Sequence, residues 1–150
     1  MANKPGKSTF VYVSFIRTTP ERLWSALTNA DFIKEYWFGM QFKAEWKAGA
    51  PWELIFPDGR IADTGEIVEF DAPRRLALKW RNEFMPELKA EGFAYCTIEL
   101  EPVSDVVKLT VTHSMALEGS QFIEKVSDGW PRIISNLKSL LETGEIILRP

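Results

Sequence analysis

The chain has 150 residues and 45% hydrophobic content, enough for one domain with a sizeable core. Its net charge is −3 and its basic residues are scattered, which excludes the concentrated basic face of a nucleic-acid binder. One cysteine, Cys96, excludes an internal disulfide and suits a reducing compartment. The opening MANKPGKS carries no apolar signal segment, and no run approaches the ~18 apolar residues of a membrane span. A cytoplasmic protein without membrane insertion is expected.

Residues 1–8 are small, charged or helix-breaking and read as a disordered tail. Thr9–Thr18 then alternates as a strand, with Phe10, Tyr12 and Ile16 against Val11, Val13 and Phe15. Both faces are apolar, so this strand is expected to be covered on both sides. Thr19-Pro20-Glu21 is a helix start, with a Thr N-cap, Pro in the first turn and an acid beside it. Leu23, Trp24 and Leu27 give that helix its buried side. Asn29-Ala30-Asp31 interrupts it, and Asp31 is expected to cap a second short helix carrying Phe32, Ile33, Tyr36 and Trp37.

Strand patterns follow from Phe42 for some seventy residues. Phe42, Ala44 and Trp46 alternate with charged residues, and Trp52, Leu54 and Phe56 precede the turn Pro57-Asp58-Gly59. Ile61–Phe70 is the next strand, and Leu76, Leu78 and Trp80 mark one face of the one after it. Glu83–Gly92 reads as a loop, yet it carries Phe84, Met85 and Leu88, so it is expected to cover the mouth of a cavity together with Trp37–Met40. Phe93–Glu101 and Val106–Met115 turn at Pro102–Asp105. The last element is a long amphipathic helix within Gly119–Thr143, with Ile123, Val126, Trp130, Ile133, Leu137, Leu140 and Leu141 on one face. Pro131 lacks an N–H and clashes with the preceding turn, which predicts a bend or break around Ser127–Trp130. The order is one strand, two short helices, six strands and a long helix. It predicts an α+β domain over residues 9–145, a curved antiparallel sheet gripping the terminal helix, with 146–150 as a C-terminal tail.

The segment from Thr19-Pro20-Glu21-Arg22-Leu23-Trp24 to Trp37 resembles the opening of the START-like, helix-grip (SRPBCC) superfamily. Gly65-Glu66-Ile67, Pro73-Arg74-Arg75-Leu76, Trp80 and the closing Gly129-Trp130…Leu137…Leu140-Leu141-Glu142 resemble one subfamily, named after the C-terminal domain of activators of the heat-shock-protein-90 ATPase. The resemblance spans about residues 9–145. It implies the helix-grip fold and a range of roles: lipid and hormone carriers, polyketide cyclases, and chaperone regulators with a place in stress response.

Strand parity places Val107, Leu109, Val111, His113 and Met115 on one face, and Ala94, Cys96, Ile98 and Leu100 on the facing strand. The simplest register sets Leu100 opposite Val107 and Cys96 opposite Val111, with His113 diagonal to Cys96 on the cavity wall. A nucleophilic Cys–His pair is one reading; a buried thiol beside a neutral histidine is the other. Desolvation is expected to hold His113 uncharged. Glu66 points inward only if Ile67 does not, and parity leaves both open. No His or Cys spacing suits a metal, and no cofactor is expected. A strongly bent sheet around one helix leaves an apolar hollow. Its candidate ligand-binding residues are Trp24, Trp37, Trp80, Cys96, His113, Met115, Trp130 and Ile133. The leading expectation is a non-enzymatic module for a small hydrophobic or amphipathic ligand. The alternatives are an interaction module, as homodimer or with a chaperone partner, and a cyclase- or hydrolase-type enzyme using His113.

Overall fold

Alternation of buried and outward side chains makes β7 (Val106–Met115) the clearest strand: Val107, Leu109, Val111, His113 and Met115 are buried and their neighbours are not. In the computed structural model, which describes residues 7–149, β7 lies in a seven-stranded antiparallel sheet of order β1-β7-β6-β5-β4-β3-β2. The other strands are β1 Ser8–Ile16, β2 Gln41–Ala44, β3 Pro51–Ile55, β4 Ile61–Asp71, β5 Arg75–Asn82 and β6 Ala94–Val103. Strands β2 to β7 form a meander, and β1 closes the far edge beside β7. Helices α1 (Pro20–Thr28) and α2 (Ala30–Tyr36) carry the chain from one edge of the sheet to the other. Helix α4 (Gln121–Thr143) lies across β1 and β7 and beside α2. The order of strands and helices is the expected helix-grip plan, with one addition: a short helix α3, Pro86–Lys89, inside the Glu83–Gly92 loop.

The termini of the helices show why they begin where they do. The Thr19 hydroxyl accepts from the Arg22 N–H. Asn29, not Asp31, caps α2, because its side-chain oxygen accepts from the N–H groups of both Asp31 and Phe32. Ser120 caps α4 by accepting from the Ile123 N–H.

Three local expectations are corrected and a fourth feature is added. First, Val11, Val13 and Phe15 are exposed, so β1 is an edge strand covered on its inner face alone. Second, the β6–β7 register is shifted by two residues. Cys96 pairs with His113, Ile98 with Val111 and Leu100 with Leu109, because the hairpin turns tightly at Ser104, where φ is 57°. Parity survives a shift of two, so His113 still points inward and lies directly opposite Cys96. Third, α4 stays helical for 23 residues through Pro131, so the expected break is absent. The proline costs about 3 kcal/mol locally, but it sits at a turn whose Asp128 faces solvent. Trp130, Ile133, Ile134, Leu137 and Leu141 are buried on either side of it and hold both halves on the sheet. Fourth, the C-terminal residues after α4 fold back. The Asn136 side chain donates to the Leu148 carbonyl and accepts from the N–H groups of Ile147 and Leu148. The expected N-terminal tail, 1–8, lies outside the described residues except for Lys7 and Ser8, and Ser8 already belongs to β1.

Glu66 is exposed and Ile67 fully buried, which settles the inward parity on β4. A bulge between Ile67 and Glu69 then turns Val68 outward. On the same face as Ile67 stands Gly65, over which the Trp52 indole crosses to donate to the Lys79 carbonyl at 3.0 Å. A Cβ at Gly65 would meet that carbonyl oxygen at 1.8 Å and the indole nitrogen at 2.6 Å, so only glycine fits.

Candidate ligand-binding cavity

Most of the space between sheet and helix is filled. A void of about 20 Å³ beside Leu76, Leu78 and Ile98 is too small for anything but water. A cavity of about 440 Å³ lies at one end, between β3–β5 and the N-terminal half of α4. The turn after α2 supplies Trp37, Phe38 and Met40; the sheet supplies Leu54, Ala62, Asp63, Trp80 and Asn82. Helix α4 supplies Phe122, Val126, Gly129, Trp130 and Ile133, with Lys125 and Asp128 at the rim. Phe38 sits in the left-handed region at φ 50°, a conformation that costs a bulky residue about 1 kcal/mol or more. It ends α2 abruptly and turns the aromatic pair Trp37-Phe38 toward the opening. Phe84 from the 83–92 loop meets Phe56 edge-on at 4.9 Å on the opposite rim.

Three indoles form the inner wall. Trp37 lies 6.1 Å from Trp80 and 5.4 Å from Trp130, and Trp80 meets Trp130 at 5.8 Å. Trp130 is oriented from behind by His113, whose Nδ1 accepts from the Trp130 Nε1–H at 3.1 Å. Accepting at Nδ1 requires a neutral ring with its proton on Nε2. Burial penalises the cation and pushes His113 down to about 3. Its Nε2 has no partner among the described residues, and the imidazole is enclosed by Trp80, Phe122 and Trp130. His113 is thus a positioning residue: it fixes an indole of the wall without reaching the cavity.

Of the residues singled out from sequence, Trp37, Trp80, Trp130 and Ile133 line this cavity. Trp24, Cys96, His113 and Met115 are buried elsewhere in the core, Trp24 edge-on to Phe70 at 5.3 Å. Cys96 faces His113 across the strands without a hydrogen bond, and burial pushes its thiol up, away from the reactive thiolate. The arrangement holds an inert thiol beside a neutral acceptor, with the histidine's free nitrogen pair already committed to Trp130.

Sequence reasoning missed the cavity's polar floor. Asp63, on β4, is 8% exposed, and its neighbour across the ladder, Asn82 on β5, is 4% exposed. Neither Asp63 oxygen makes a hydrogen bond of ordinary geometry among the described residues. The Asn82 oxygen is used, accepting from the Met85 N–H at 2.9 Å. Burial first, and the nearby Glu83 charge second, push the Asp63 carboxyl up to about 7, while the proximity of Trp80 and Asn82 tempers the shift. Trp80 Nε1 itself has no hydrogen-bond partner of ordinary geometry. Glu83 behaves oppositely. Burial works against its charge, but Arg81, Thr64 and Lys89 bind the carboxylate and hold it down to about 2. The parity of Asp63 with Gly65 and Ile67 was the available signal, hidden until the direction of Ile67 was known.

A family model described as activator of Hsp90 ATPase homolog 1-like protein matches residues 17–142. The chain belongs to this family. Solved structures share its fold. Protein MLL2253 from Mesorhizobium loti is 22% identical, with a TM-score of 0.79 over 93% of this chain and 100% of that one. The Aha1 dimer from Colwellia psychrerythraea is 18% identical, with a TM-score of 0.74 over 91% and 98%. PFC0360w, an HSP90 activator from Plasmodium falciparum, is 22% identical, with a TM-score of 0.72 over 89% and 95%. No curated protein sequence matches. No described helix is long and apolar enough to cross a membrane.

Proposed function

We propose that this protein binds a small apolar or amphipathic molecule in the cavity between β3–β5 and α4, in a cytoplasmic setting that keeps Cys96 reduced. The carrying observation is the cavity of about 440 Å³ walled by Trp37, Trp80, Trp130 and Ile133. That volume is of the size ligand sites occupy, about 300–1,000 Å³, and its wall is apolar with few polar groups, as such sites are. The indoles serve as their own reporters. Titration with the neutral probe N-phenyl-1-naphthylamine should quench tryptophan emission and enhance the probe's, with a stoichiometry of one. No response, with the fold intact by circular dichroism, would refute the reading.

A second reading is favoured by one observation. Val11, Val13 and Phe15, exposed at 54%, 43% and 50%, share the outward face of the sheet with Tyr95. An apolar strip on an edge strand suits an interface, either with a second copy or with a chaperone as in related activators. Sedimentation of the wild-type chain and of Phe15→Glu separates the cases: a dimer lost in the variant supports self-association through β1.

A further inference from the structure

Asp63 is a carboxyl group placed in a largely apolar cavity wall, where only the Trp80 and Asn82 side chains stand near enough to donate to it and neither does so at ordinary hydrogen-bond geometry. Taking such a group out of water with so little compensation costs folding energy, and the other buried polar group of this wall, Asn82, has its oxygen engaged by the Met85 N–H. Its immediate neighbours on the flanking strands are acidic or neutral. From β3, Leu54 faces it across the ladder; from β5, Asn82 and Trp80 flank it, with Glu83 just beyond. From α4, Lys125 and Asp128 stand at the rim, both exposed. Arg81 and Lys89 are committed to Glu83. Three indoles, whose faces carry negative potential, complete the wall.

We propose that the cavity selects an apolar molecule ending in a protonated amine, with Asp63 as its counter-ion and the indoles of Trp37, Trp80 and Trp130 around its chain. This rests on the reading that the cavity binds small apolar molecules and names their polar end. A cation in contact with Asp63 supplies charge-assisted hydrogen bonds and holds the carboxylate ionised. Near neutral pH the free carboxyl is about half protonated, so binding an ammonium group releases part of a proton to solvent.

Octylamine, octanol and octanoate share one chain and differ in the head group, and calorimetric titration of all three against the wild-type chain provides the test. Octylamine should bind at least about tenfold more tightly than octanol at pH 8, and octanoate most weakly. The amine remains protonated down to pH 5, as lysine does, while Asp63 becomes neutral, so the preference should shrink by about tenfold or more there. Asp63→Asn, nearly the same shape, should bind octylamine and octanol alike at both pH values. The wild-type pH profile stands even if the variant folds poorly. Equal binding of the three in the wild-type chain, or a preference for octylamine that survives in Asp63→Asn, overturns the amine assignment and leaves the cavity reading intact. Binding of none of the three overturns both.

Discussion

Two buried titratable groups pull the stability of this domain in opposite directions. His113 is held down to about 3 in the fold against ~6.5 when unfolded. Its contribution is therefore fully present above pH ~6.5 and is lost as pH falls, because the unfolded chain binds the proton first. Asp63 is raised to about 7 against ~3.9 unfolded. Its fold-favouring protonation is complete at low pH and is lost as pH rises toward 7. Between pH 7 and pH 5 each effect amounts to about 2 kcal/mol with opposite sign, so they nearly cancel in the wild-type chain. Urea melts of single variants should separate them. His113→Gln, whose side-chain oxygen still accepts from Trp130, should become more stable from pH 7 to pH 5. Asp63→Asn should become less stable over the same interval. Parallel pH profiles for the two variants would contradict these assignments. His113 was legible as an inward, neutral residue because β7 alternates without interruption. Asp63 was not, because an acid between Ala62 and Thr64 looks like a solvated position until the inward direction of Ile67, which shares its parity, is known.

At the scale of elements, α4 packs on β1, β7 and α2, and its start is fastened to the loop before β6. The Glu91 carboxylate, at the end of the 83–92 loop, accepts from the Ser120 hydroxyl at 2.6 Å and from the Gln121 N–H at 3.0 Å. A charge at a helix N-terminus that also accepts its free N–H groups contributes about 1 kcal/mol. Glu91→Ala should lose about that much and should speed hydrogen exchange in the loop and in the first turn of α4 together. Faster exchange in the loop alone would mean the two are not joined through this residue. Pro131→Ala tests the other end of the argument. It restores an N–H donor to a continuous helix, and the gain, less the entropy proline removes from the unfolded chain, should be about 2 kcal/mol. The continuity of α4 was not legible from sequence for a physical reason. The proline's cost is local and visible, whereas the burial of Trp130 through Leu141 that outweighs it is a property of the assembled sheet. The register of β6 and β7 escaped for a similar reason, since alternation fixes only parity and the length of the turn at Ser104 fixes the rest.

For the whole molecule, the plan of strands and helices followed from periodicity, and the family assignment rests on the same continuous stretch. Where the cavity sits did not follow. The sheet closes on α4 tightly enough to fill the middle of the domain, and the open space collects at the end where β3–β5 diverge from the helix. Gly129 lies on the helix at that opening, and a Cβ there would meet nothing within 4 Å. Gly129→Leu therefore adds a side chain to the cavity while removing a poor helix former, a change worth up to about 1 kcal/mol in favour of folding. That combination separates loss of the site from loss of the fold. The decisive measurement is the affinity for the neutral probe N-phenyl-1-naphthylamine of wild type and Gly129→Leu, taken with their melting temperatures. The account predicts a variant at least as stable as wild type that binds the probe about tenfold or more weakly, since the added side chain competes for the same volume. An equally stable variant with unchanged affinity would place binding elsewhere and contradict the cavity as the ligand site.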